Sequence, residues 1–177
     1  MFDDSRAYWF AIRVSYGRTL KFCAQLSEAG VECFVPMCRR KTVKGGKTVE
    51  AVVPAISNLC FVRSTKSFIS DYFAGLGGNR HAHFMWDIST RNPIVVSDKA
   101  MSDFMQICRI MSDEALYLKE VTAKLREGQR VRVTDGPFKD VEGVIVRIRR
   151  SRRVMVELPG LLAVATNYID PRFLEVI

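Results

Sequence analysis

The sequence predicts an α+β protein, a mixed sheet flanked by helices and followed by a linker and a small β-barrel. Three observations predict it. Residues up to about 110 run β-α-β-β-β-α-β-α, the order of a sheet with helices packed on it. Residues 112–124, "SDEALYLKEVTAK", lose hydrophobic period and turn polar. From Leu125 onward four or five short alternating strands follow one another between turn residues, which suits a small barrel. The expected boundaries are 1–112 for the first domain, 113–124 for the linker and 125–177 for the barrel.

Each element has a local reason. "AYWFAIRV" (7–14) is aromatic and β-branched and reads as a strand that Gly17 ends. From Arg18 to Ala29, Leu20, Cys23 and Leu26 recur every three residues beside Phe22, the stripe of a short amphipathic helix. Gly30 ends it as a C-cap. Val31–Met37 is a second strand, and "TVKGGKTV" (42–49) places Gly45-Gly46 between matching β-formers, a two-residue hairpin. "NLCFVRS" (58–64) is an apolar strand, and Ser67–Leu76 a helix burying Phe68, Ile69, Tyr72 and Phe73. "GLGGN" (75–79) reads as a loop and "HAHFMWD" (81–87) as a strand. Ser97 is a good N-cap, with Asp98 in the first turn of a helix whose face is Met101, Phe104, Met105 and Cys108. In the barrel, "DGPFKDVEGVIVRI" (135–148) packs two turns and a strand into little space. Gly136 supplies a positive φ, Pro137 presets the next dihedral, and Gly143 lets one strand approach its neighbour closely.

Composition narrows the function. The 177 residues carry a formal net charge of +8, which suits an anionic partner or a solvated basic face. Two clusters dominate: Arg39, Arg40, Lys41, Lys44 and Lys47 at the predicted hairpin, and Arg147, Arg149, Arg150, Arg152 and Arg153. The N-terminus has no signal-like charge pattern and no apolar stretch is long enough to span a membrane, so a cytoplasmic protein is expected. Five cysteines with no C-x-x-C spacing read as free, mostly buried thiols. A metal site from Cys33, Cys38, His81 and His83 is the closest alternative, but strand positions do not supply the close ligand pairs zinc favours. No catalytic constellation, cofactor or metal is expected.

"LREGQRVRVTDGPFKDVEGVIVRI" (125–148) resembles a KOW motif, and "WFAIRVSYGRTLKF", "VECFVPM", "KGGKTVE" and "NLCFV" resemble, in that order, the NusG N-terminal domain. The chain is thereby identified as a member of the NusG superfamily. "AGVECFVPM" and "SNLCFV" lie closer to the specialised paralog RfaH. "MSDEALYL" and "GLLAVATNYIDPRFLEVI" resemble the UpxY factors of Bacteroides capsular polysaccharide loci. The resemblance implies an α/β sandwich joined to an SH3-like barrel. It also implies an operon-specific elongation and antitermination factor, a non-enzymatic monomer that docks on RNA polymerase. The alternatives are a general NusG-type elongation or termination factor and a ribosome-associated KOW protein that binds RNA.

Carried onto this sequence, the patch that meets the polymerase clamp helices falls on Trp9, Phe10, Ile56, Leu59 and Phe61. The surface that meets the non-template DNA strand falls on Arg13, Tyr16, Arg18 and Lys21, and the gate-loop contact on Ser70 and Asp71. Phe138 with Arg147, Arg149, Arg150, Arg152 and Arg153 is the candidate surface for Rho, a ribosomal small-subunit protein or nascent RNA. Where relatives carry F-P-G-Y or F-P-N-Y, this chain has Ile56-Ser57-Asn58-Leu59, a change that suits a factor with restricted targets. The β-branched content of the barrel, with Gly143 and Pro159, weighs against a helical alternative fold.

Overall fold

The computed structural model describes residues 2–3, 5–15, 17–75, 81–112, 115–118, 128–148 and 150–177. In chain order the elements begin with β1 (Tyr8–Val14), α1 (Thr19–Glu28), β2 (Glu32–Phe34), β3 (Met37–Lys44), β4 (Lys47–Pro54), β5 (Leu59–Ser64) and α2 (Lys66–Gly75). They continue with β6 (Ala82–Phe84), β7 (Trp86–Asp87), β8 (Asn92–Pro93), β9 (Val95–Val96), α3 (Asp98–Met111) and β10 (Leu116–Leu118). Last come β11 (Arg130–Val133), β12 (Glu142–Ile148), β13 (Ser151–Leu158), β14 (Leu162–Ala165), a 3-10 turn at Pro171–Phe173 and β15 (Leu174–Val176). The fold is α+β, as the order of elements predicts. It divides into two compact units, residues 1–36 with 54–98, and residues 37–53 with 99–177.

The first unit is built on a sheet in the order β2-β5-β1-β6, with β9 also paired to β1. The β1–β5 pairing is antiparallel and sets Trp9 opposite Arg63, Ala11 opposite Phe61 and Arg13 opposite Leu59. Because side chains alternate across a strand, Phe10, Ile12, Val14, Cys60 and Val62 point one way. They form the core with Phe22, Cys23 and Leu26 of α1 and Ile69 of α2. Trp9, Ala11, Leu59 and Phe61 occupy the other face and are buried as well.

The helix stripes of α1 and α2 each differ from expectation at one or more positions. In α1 the buried positions are Thr19, Phe22, Cys23 and Leu26, whereas Leu20 is half exposed. The Thr19 hydroxyl donates to the Ser57 carbonyl at 2.9 Å, so a polar residue takes the inward position because it has a partner there. In α2 Ile69 is buried but Phe68 is exposed. The loop expected at 75–79 lies, after Gly75, outside the described residues.

In the second unit β3 and β4 form a hairpin with Gly45 at φ 58° and Gly46 at φ 75°. Both central residues are left-handed, which is what the Gly-Gly pair makes cheap. The strands of the expected barrel form an antiparallel sheet in the order β10-β14-β13-β12-β11-β15. Leu116–Leu118, expected in the linker, is thus an edge strand that pairs with Leu162–Ala165. Both faces are apolar: Val146, Met155 and Ala163 cluster on one, and Val131, Val154, Val156 and Val164 are buried on the other. Gly136 has φ 82°, as its turn requires. At Gly143 a Cβ would collide with the Met155 carbonyl oxygen and crowd the Val154 side chain, so the close approach expected there is real.

Helix α3 is fastened to the turn before β12. Asp103 is buried and accepts from Lys99 Nζ, 2.7 Å from each carboxylate oxygen, and from the Glu142 amide at 3.2 Å. Lys99 Nζ also donates to the Asp140 carbonyl at 2.7 Å. Gln106 donates to the carbonyls of Pro137 and Lys139. Phe104 and Ile107 are buried, whereas Met105, expected on that face, is only half buried.

Candidate functional site

The polymerase-facing patch inferred from the sequence is only partly a surface. Leu59 is 3% exposed, and Trp9 and Phe61 are also buried. Phe10 is fully buried and belongs to the helix-side core, so it faces away from Trp9 and cannot share a surface with it. That is a correction to the set: alternation along β1 lets only one of two successive aromatics reach a given face. Ile56 is half-buried at the start of the turn into β5. This turn closes with the Leu59 amide donating to the Ile56 carbonyl at 3.3 Å. It is anchored on two sides, by the Val14 amide donating to the Asn58 carbonyl at 2.9 Å and by the Thr19 hydroxyl on Ser57. Thr19 was not legible as a site-positioning residue; its hydroxyl at the start of a helix was the available signal.

The cations inferred around the β1–α1 junction are at the surface, with Arg13 on the Trp9 face of β1 and α1 packed on the other face. Arg13, Arg18 and Lys21 are all exposed, and Arg13 lies across from His83 of β6, also exposed. Tyr16 lies outside the described residues. Ser70 and Asp71 are exposed on α2, where the Ser70 hydroxyl donates to the Lys66 carbonyl one turn back at 2.9 Å.

In the second unit the predicted partner surface separates into parts. Phe138 is 8% exposed, so its ring packs inside the turn that α3 engages and is not offered outward. This corrects its inclusion: the turn geometry that makes the motif recognisable also folds the aromatic inward. Arg153 is half buried and donates to the Thr166 carbonyl at 2.8 Å, a structural role that removes it from the exposed cluster. Arg149 lies outside the described residues. Arg147, Arg150, Ser151 and Arg152 converge with Tyr168 around a concavity of about 520 Å³. Tyr168 was missed in the sequence; an aromatic between Asn167 and the buried Ile169, just past the last long strand, was the signal.

Three of the thiols, those of Cys23, Cys33 and Cys108, are held above their usual range. Cys23 and Cys60 are buried in the first core beside Cys33. A hydrogen bond to Cys23, then burial, holds the Cys33 thiol well above its usual range. Burial pushes Cys108 up to about 12, against a lowering hydrogen bond from Tyr117. All five are free; the raised thiols of Cys23, Cys33 and Cys108 stay protonated near neutrality, and a protonated thiol is a poor nucleophile. Among the described residues no group of three or more His, Cys, Asp or Glu side chains could hold a metal, and no helix is long and apolar enough to cross a membrane.

A family model described as transcription termination factor nusG matches residues 7–105, and one described as the KOW motif matches residues 127–157. No curated protein matches the sequence significantly. Among solved structures, one titled "Domain interaction in Thermotoga maritima NusG" is similar at 17% identity with a TM-score of 0.49, covering 99% of each chain. The first family match takes in β1 through most of α3 and spans more than half of the sequence, and the KOW stretch follows it in β11 to β13. The protein belongs to the NusG family of transcription factors.

Proposed function

We propose that the protein is an operon-specific elongation and antitermination factor, a cytoplasmic, non-enzymatic monomer that rides on RNA polymerase. Its first unit binds the polymerase clamp helices and suppresses pausing or termination, and its C-terminal sheet recruits a further partner, a ribosomal small-subunit protein or Rho. The NusG family membership supports a role in elongation or termination and a polymerase partner. The observation that carries the finer reading is the Ile56–Leu59 turn. It sits at the edge of the face holding Trp9, Leu59 and Phe61, is pinned to both β1 and α1, and leaves Ile56 as the one member of the patch at the surface. A helical protrusion is gripped through a few central apolar anchors, which is the chemistry this face holds. Docking of the whole patch requires Trp9, Leu59 and Phe61 to become accessible, with Ile56 touching the polymerase first.

Arg13, Arg18 and Lys21 supply positive charge for the non-template DNA strand, and exposed Ser70 and Asp71 are available to the gate loop. The departure from F-P-G-Y at residues 56–59 supports restriction to particular operons, with capsular polysaccharide loci the expected setting.

Ile56→Asp tests the reading. The side chain is half-buried, so the variant is expected to fold, to lose polymerase co-precipitation by about thirtyfold, and to abolish readthrough of a long operon. Wild-type capture together with unchanged readthrough overturns the proposal. Effects of gene deletion on most transcripts, instead of a few operons, would favour a general factor.

A further inference from the structure

The hairpin of β12 and β13 sets Arg147 directly opposite Arg152. Like charges in that position repel, and a sheet gains stability there from opposite charges or apolar pairs. The same strand shows the favourable arrangement at its other end, where Arg132 of β11 sits opposite Glu142 and donates to Oε1 at 2.9 and 3.0 Å. Among the described residues no carboxylate pairs with Arg147, Arg150 or Arg152. The nearest acid in sequence to Tyr168, Asp170, is held by its own neighbour Arg172, with Nη2 2.8 Å from Oδ2. At the hairpin tip Arg150 holds φ at 64°, a conformation that glycine or asparagine adopts at less cost. A third arginine is therefore kept in place against both charge repulsion and backbone preference.

These cations share their concavity with an aromatic. Tyr168 is 61% exposed and lines the same hollow as Arg147, Arg150, Ser151 and Arg152. Arg147 and Arg152 also form a wall of a neighbouring groove of about 420 Å³, whose floor includes Val131, Ile145 and Leu174. We propose that this hollow is a binding site for single-stranded nucleic acid: the arginines take successive phosphates, Tyr168 stacks on a base, and the adjoining groove receives the next one. A strand of unpaired bases presents anionic groups and flat apolar faces in alternation, and the site offers both complements side by side. A duplex hides its base faces and would leave Tyr168 without a partner. An acidic peptide would satisfy the arginines but not the stacking ring.

The inference draws on the transcription reading only for its natural ligand, the nascent transcript; the site itself is independent of polymerase docking. It is therefore tested without polymerase, using the full chain and fluorescence anisotropy of a labelled oligouridylate. Oligothymidylate, duplex DNA and an oligoglutamate peptide are the comparison arms. The oligouridylate is expected to bind, and Tyr168→Ala to weaken binding about tenfold while Tyr168→Phe leaves it unchanged. Arg147→Ala with Arg152→Ala should weaken it further and reduce the dependence of log K on log salt by about 0.7 for each phosphate no longer neutralised. Thermal melting of each variant checks its fold. Equal binding of RNA and DNA single strands supports the site, and tighter RNA binding supports the transcript as ligand. Duplex or oligoglutamate bound more tightly than the single strands, or single-strand affinity untouched by these substitutions, overturns it. Loss of polymerase capture by Ile56→Asp with this binding intact, or the reverse, separates the fates of the two proposals.

Discussion

Gly143 and Thr19 show how much single residues settle in this molecule. Neither does chemistry. Gly143 exists because β13 passes so near β12 that the Met155 carbonyl occupies the space a methyl group would need. Backbone cannot move aside as a flexible side chain can, so Gly143→Ala is expected to cost about 1–3 kcal/mol, read as a shifted urea midpoint with an unchanged slope. An unchanged midpoint would mean that the strands part without penalty. The close approach was legible from the glycine opening a β-branched run. Thr19 was not, because its reason lies in the carbonyl of Ser57, a partner far away in sequence. The same holds for Asp103: an i, i+4 partner in Lys99 could be read from the letters, but the Glu142 amide that makes its burial tolerable could not.

At the scale of elements, the β11–β12 pair carries a measurable electrostatic signature. The hydrogen bond from Arg132, together with its charge, holds the Glu142 carboxyl below its ordinary value of 4.5, and burial opposes this. A carboxyl lowered in the folded state stabilises it at pH above that ordinary value. The contribution disappears as pH falls through the lowered one. Melting temperature is therefore expected to drop on acidification below about pH 4.5, and Arg132→Ala to flatten that drop while lowering the neutral-pH plateau. Identical acid limbs in the two proteins would show the pair to be inconsequential. Arg132 also approaches Glu175 of β15 at 3.8 Å, so the variant probes the three-strand seam as a whole. The long strands and helices here were plain in the sequence, since each has its own period. The short β10 was not: "LYL" shows no alternation long enough to read, and only its pairing with β14 makes it a strand.

For the whole molecule, the second unit is discontinuous in sequence, taking residues 37–53 together with 99–177. Helix α3 and the β3–β4 hairpin group with the C-terminal sheet, and the Tyr117 hydroxyl ties that sheet's edge strand to the Met37 carbonyl at 2.9 Å. A fragment covering residues 125–177 lacks β10 and leaves the β14 edge unpaired, whereas one covering 115–177 keeps it. The longer fragment is expected to melt several degrees higher and to aggregate less, measured by circular dichroism and light scattering. Equal melting would mean that β10 adds nothing to the sheet. A sequence read element by element divides the chain where the pattern fades, and it has no access to partners that reach back across 80 positions. The candidate site was legible to a similar degree: the exposed cations stand out in the letters, and the apolar patch shows in composition but not in accessibility.

The discontinuity of the second unit has a consequence during synthesis. Every residue of the first unit has been added once position 98 is reached, but the β3–β4 hairpin must wait for partners that come afterwards. At roughly 5–20 residues per second, residues 99–177 of the second unit take on the order of 4–16 s to be added. Throughout that interval the hairpin lacks the later residues of its unit, so chaperone capture or premature degradation should strike at this ribbon first.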